Sequence, residues 1–166
     1  MRHALLISGL LITSLFLGCK AGGEYAQGAR EPGDVDRGEV NGRMFDFVSN
    51  KPEGDDWQIR IRDNSMSVGY GNADTSEDLG TINLDKKETK KVWKLIDALD
   101  LENRKKGKKD EDEGWVHLRI REPGGDEGHD VIEVYVSRAN ADEEVTDLAE
   151  YLRTIVAKYR KEKPNF

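Results

Sequence analysis

The sequence predicts an α+β fold: a two-layer antiparallel sheet with two helices on one face, its elements ordered hairpin, helix, hairpin, helix. Three observations carry this. Trp57, Ile59 and Ile61 alternate with polar residues up to Asp63-Asn64, and Met66, Val68 and Tyr70 alternate on the way back. The same period of two recurs in Val116, Leu118 and Ile120, and returns in Ile132, Val134 and Val136 beyond Pro123-Gly124-Gly125. Alternation on both sides of a tight turn marks a hairpin. Each hairpin precedes a segment with an apolar stripe of helical period. Such helices must cover one face of an antiparallel sheet to bury that stripe.

The elements follow in order. Met44-Phe45-Asp46-Phe47-Val48 is expected as a first strand, ahead of the first hairpin. Gly71 to Gly80 reads as a polar loop, with Thr81 to Leu84 a further short strand. Asp85 is placed to cap a helix, with Glu88 as its capping-box partner. Val92, Leu95, Ile96 and Leu99 form that helix's stripe. Glu102 to Gly114 is a block of charge, basic then acidic. The last helix is expected to start near Asn140, with Glu143 as the reciprocal cap. Its apolar face runs through Val145, Leu148, Ala149, Leu152, Ile155, Val156 and Tyr159. Trp57 to Asp63 also echoes Trp115 to Glu122, although the second copy has one more residue between its Trp and the Leu-Arg-Ile-Arg run. A duplication and two strands with similar demands both explain the echo.

The first residues have a different character. Arg2 and His3 precede an apolar run, Ala4 to Leu17, that closes on Gly18-Cys19. The run is too short for a hydrocarbon core that needs about 20 helical residues, and its parts are those of a secretory signal. Gly18-Cys19 after Leu15-Phe16-Leu17 resembles the lipobox of bacterial lipoproteins. That resemblance implies export, cleavage before Cys19 and lipidation of its sulfur. It implies a membrane anchor in the bacterial cell envelope and, because Lys20 rather than Asp follows, the outer membrane. An ordinary secretory signal cut nearby, for example after Ala21, is the alternative. The chain thus divides into residues 1–18 as leader, 19–43 as the lipidated cysteine with a Gly-rich flexible tether, and 44–166 as a single domain.

Composition narrows the function. With 26 Lys+Arg against 33 Asp+Glu the formal net charge is −7. Nucleic-acid binding needs a basic excess, and the acidic balance also argues against adhesion to anionic headgroups. One cysteine forms no intramolecular disulfide and no Cys-based zinc site. Apart from His3 of the leader, the histidines are His117 and His129, in no metal-binding helix motif. Neither acidic loop, around Asp74 to Asp78 or Asp110 to Glu113, has the order of a calcium cage. No nucleophile, base and orienting group converge, so no enzyme, metal or cofactor is expected.

The candidate site is the sheet face away from the helices. Arg60, Arg62, Arg119 and Arg121 should lie there, with Trp115, His117, Glu133 and Tyr135. Trp, Tyr and Arg are the residue types of protein-binding hot spots; a solvated face with Arg119 paired across to Glu133 is the plainer reading. In layout the domain resembles small exported domains of alternating hairpins and helices, among them the emfourin group of metalloprotease inhibitors. The expected function is a non-enzymatic, membrane-anchored lipoprotein that binds another envelope protein as accessory or inhibitor. Binding of a small anionic ligand or glycan on the Arg-lined face is the alternative.

Overall fold

The structure is a computed structural model that describes residues 42–54, 56–71, 76–123, 129–161 and 164–166. The leader, Cys19 and the expected tether up to residue 41 lie outside the described residues. Six strands form one antiparallel sheet: β1 (Met44–Asn50), β2 (Asp56–Arg62), β3 (Ser65–Gly71), β4 (Ser76–Asn83), β5 (Trp115–Pro123) and β6 (His129–Ser137). Their order across the sheet is β4-β3-β2-β1-β5-β6. Helix α1 (Lys86–Ala98) follows β4, and α2 (Glu143–Arg160) follows β6.

The expected α+β architecture holds, and its inner layer is the one that alternation assigned. Phe45, Phe47, Ile59, Ile61, Met66, Val68, Val116, Leu118, Ile120 and Val134 are all buried. They form one core with Val92, Trp93 and Ile96 of α1 and with Val145, Leu148, Leu152, Ile155 and Val156 of α2. The turn between β2 and β3 places Asp63 at φ 53°. Its carbonyl accepts a hydrogen bond from the Trp93 indole at 2.9 Å, which ties the hairpin to α1.

Two boundaries differ from expectation. The stretch 71–80, expected as loop, enters β4 at Ser76 and pairs along β3. Arg160 explains why so polar an edge strand stays in place: it donates to the carbonyls of Leu79 (2.6 Å) and Thr81 (2.7 Å). The cap of the last helix is Asp142 and not Asn140. Arg138–Asn140 form a 3₁₀ turn, and the Asp142 carboxylate accepts from the Val145 amide at 3.1 Å. Asp142 wins because it also meets the Arg104 guanidinium.

The Asp85–Glu88 capping box is present as expected. Asp85 accepts from the amides of Lys87 (2.8 Å) and Glu88 (2.9 Å), and Glu88 accepts from the Asp85 amide (2.9 Å). Glu88 also joins the helices: Lys158 Nζ lies 2.7 Å from it and the Tyr159 hydroxyl 2.9 Å. With Arg104 on Asp142 at the opposite end, α1 and α2 run antiparallel. Residues 164–166 return to the core edge, where Phe166 packs on Phe47 and Trp57, with ring centroids 5.0 and 5.9 Å away.

The charge block 102–114 flanks β6. The Tyr135 amide donates to the Lys106 carbonyl at 2.8 Å. Gly107 (φ +62°) lies so close that a Cβ would stand 1.9 Å from the Tyr135 carbonyl oxygen, so only glycine fits there. Asp110 organises the acidic half, accepting from Ser137 Oγ at 2.6 Å and from the Glu113 amide at 3.0 Å.

Candidate functional site

Side chains on the open sheet face fall into rows set by strand register. The central row crosses all six strands: Thr81 of β4, Ser67 of β3, Arg60 of β2, Asp46 of β1, Arg119 of β5 and Glu133 of β6. The next row carries Gly69, Gln58, Val48, His117 and Tyr135. The row on the other side carries Arg62, Met44 and Arg121. The expected candidates Arg60, Arg62, Arg119, Arg121, Trp115, His117 and Tyr135 therefore do share one face.

At the centre is a residue that the sequence reading passed over as part of an apolar strand. Asp46 is only 5% exposed although it faces outward, because arginines from both neighbouring strands close over it. Arg60 Nε donates to one carboxylate oxygen at 2.6 Å. Arg119 Nε and Nη2 donate to the other at 3.0 and 2.6 Å, and Arg121 Nη2 stands 3.6 Å away. Burial works to raise the Asp46 carboxyl; the hydrogen bonds from Arg60 and then Arg119 outweigh it and hold the group below the usual carboxylate range. Arg119 thus turns to Asp46 and not across to its register partner Glu133, as had been expected. A carboxylate that binds a guanidinium on each oxygen satisfies far more of its lone pairs than a single exposed cross-strand pair would.

Towards one end of the face lies an aromatic cluster. The Trp115 and Tyr135 rings meet edge to face at 5.6 Å. His117 stacks on Tyr135 at 4.4 Å with the planes 8° apart. Lys109 Nζ sits 4.8 Å from the Trp115 ring centre and 5.9 Å from that of Tyr135, within cation–π range. His117 Nε2 stands 3.4 Å from Glu133 Oε2 but is not aligned for a hydrogen bond, and its nitrogen is buried from solvent. Lys109 comes from the charge block, which carried no assignment to this face.

Beside the Asp46 cluster, over β1 to β4, runs an open trough of about 550 Å³. Val48, Gly69, Gln58, Arg60, His117 and Arg119 are among the residues that line it. It sets the guanidiniums of Arg60 and Arg119 and the His117 ring beside the acidic Glu77 and Asp78 of β4. Among the described residues no group of His, Cys, Asp and Glu could hold a metal ion, and no helix is long and apolar enough to cross a membrane. Trp57, the other tryptophan of the echoing strands, is not on this face: it lies in the core, stacked on Tyr70 at 4.8 Å. No family model matches the chain, and no curated protein is detectably similar to it.

Proposed function

We propose that the chain is a membrane-anchored bacterial lipoprotein whose domain binds another protein of the cell envelope through the open sheet face, without catalysing a reaction. The anchor is inferred from the leader and Cys19. One observation supports the binding role above the rest: Trp115, His117, Tyr135 and Lys109 are assembled, from two strands and the charge block, into a single cluster on the open face. Preformed aromatic and cationic contacts lose little rotamer freedom on association, which is the property of hot-spot residues. The anionic-ligand reading is less well supported, since a small anion would compete for arginine donors that Asp46 already holds.

A photo-crosslinking amino acid at position 115, with the full chain expressed in cells, tests this. The expected result is a discrete adduct with one envelope protein, lost when Tyr135→Ser is added. The same probe at Thr154, on the exposed surface of α2, should give none. Adducts at 154 with none at 115 would sink the proposal.

A further inference from the structure

The net charge of −7 is an average that conceals a segregated surface. Lys86, Lys87, Lys90, Lys91 and Lys94 are all exposed on α1. At 100° per residue they span an arc of about 140°, and at 1.5 Å per residue a length of about 12 Å. Among the described residues none of the five forms an ion pair. The acid between them, Glu88, is buried and bonded to Lys158 and Tyr159. The acids that bracket the row are occupied: Asp85 by the helix amides, Asp97 by Arg43 at 2.7 Å. Because the helices are antiparallel, the basic row's first turn lies beside the C-terminal end of α2, with Arg160 and Lys161. Glu143, Glu144, Asp147 and Glu150 belong to the other half of α2. Glu150 is paired with Arg153 at 2.6 Å.

The point where the chain enters the domain lies on the same side. Arg43, immediately before β1, is held against α1 by Asp97 and by stacking over the Trp93 ring at 5.0 Å. An anchor at Cys19 therefore pulls on the α1 side of the molecule. The 22 residues between Cys19 and Gly42 reach at most about 80 Å, so the row would be held permanently within reach of lipid.

We propose that the lysine face of α1 is a docking surface for anionic phospholipid headgroups, which seats the helix layer on the membrane and turns the open sheet face away from it. The proposal rests on the lipid anchor inferred above. The overall acidity does not oppose it, because at physiological salt charges more than about 8 Å from the surface are largely screened. Docking need not hold the domain from bulk solution either, since the anchor makes it an intramolecular event at high effective concentration.

The test uses the full lipidated chain reconstituted in vesicles of phosphatidylcholine, alone or with roughly a third phosphatidylglycerol. An amine-reactive reagent is applied and each lysine is followed by mass spectrometry. The five α1 lysines should react about fivefold more slowly on the anionic vesicles, while Lys106 and Lys108 of the charge block react equally on both. Protection should vanish at about 0.5 M NaCl, where the screening length falls to about 4 Å. Equal rates on both vesicles would overturn the docking surface. Equal protection on both, insensitive to salt, would overturn it as well, by assigning the effect to crowding. Protection that appears only in native membranes would replace lipid by an acidic protein partner. Failure to float with either vesicle would remove the anchor and the docking surface with it, whereas flotation without protection removes the docking surface alone.

Discussion

Strands β2 and β5 resemble each other in sequence and flank the same central strand, yet they place their tryptophans on opposite sides of the sheet. Both pair antiparallel with β1, and both set an arginine opposite Asp46 and another opposite Met44. The Leu/Ile-Arg-Ile-Arg run of each strand therefore meets one demand: apolar residues to the core and its first arginine to the buried carboxylate of β1. The echo follows from this shared neighbour without any need for duplication. In β5 one additional residue precedes the shared run, and the pleat converts it into a change of face. Trp57 stays in phase with Ile59 and is 5% exposed in the core. Trp115 is out of phase with Val116 and stands among Tyr135, Lys109 and solvent. One tryptophan is enclosed in the core and the other stands on the open face.

The widest gap between the strands should appear on truncating these two residues. Trp57→Ala removes the stacking on Tyr70, the contact with Phe166 and a hydrogen bond from the indole to Asn165 at 3.1 Å. It is expected to destabilise the domain by about 3–5 kcal/mol, the range for buried large aromatics. Trp115→Ala should stay within about 1 kcal/mol, as surface changes do. Urea unfolding of the two variants side by side reads the difference; similar losses would mean that the outer cluster is a second core and not a recognition surface.

Asp46 is what the two strands have in common, and removing it should affect both. Asp46→Ala leaves arginines of both strands without their counter-charge. A loss of about 3 kcal/mol is expected, the low end for a broken buried pair, because Arg60 is 54% and Arg119 29% exposed and water takes over part of their solvation. The pH dependence is specific. The folded Asp46 carboxyl titrates below its unfolded value, so in the intervening range the unfolded chain binds more protons and stability rises with pH. The contribution is fully present above the unfolded carboxylate range, about pH 4, and is lost as pH falls through the folded value. The stability difference between the native chain and Asp46→Asn should accordingly narrow on acidification from about pH 6 to pH 3. A difference independent of pH would show that the ionised form is not what the arginines hold.

What the sequence disclosed and what it hid have the same cause. Alternation and helical stripes are local, so the inner layer, the face of every candidate arginine and the Asp85–Glu88 cap were all legible. Asp142 was not, because its advantage over Asn140 comes from Arg104, 38 positions away. The early start of β4 depends on Arg160, 81 positions from Leu79. Asp46 looked like an interruption in an apolar strand because its partners are 14 and 73 positions off. A carboxylate in the middle of a run of Met, Phe and Val was the one available signal, since a charge so placed must find partners if the strand is central. Register, which turns those partners into neighbours, is fixed only when the sheet is assembled.

The finest comparison is between the two arginines themselves. Arg119 donates twice to Asp46 and Arg60 once, and Arg119 is the less exposed of the pair. Charge-assisted bonds lose most of their worth where water screens them. Arg119→Ala is therefore expected to cost about 1 kcal/mol and Arg60→Ala under about 0.5 kcal/mol. Repeating both in the Asp46→Ala background should abolish the difference, because the interaction each arginine loses is then already absent. If Arg60 proves the costlier loss, the weight of the central row lies on the β2 side. The trough beside Gln58 and Gly69 would then be the more rigid half of the open face, and Trp115 would sit on its looser edge.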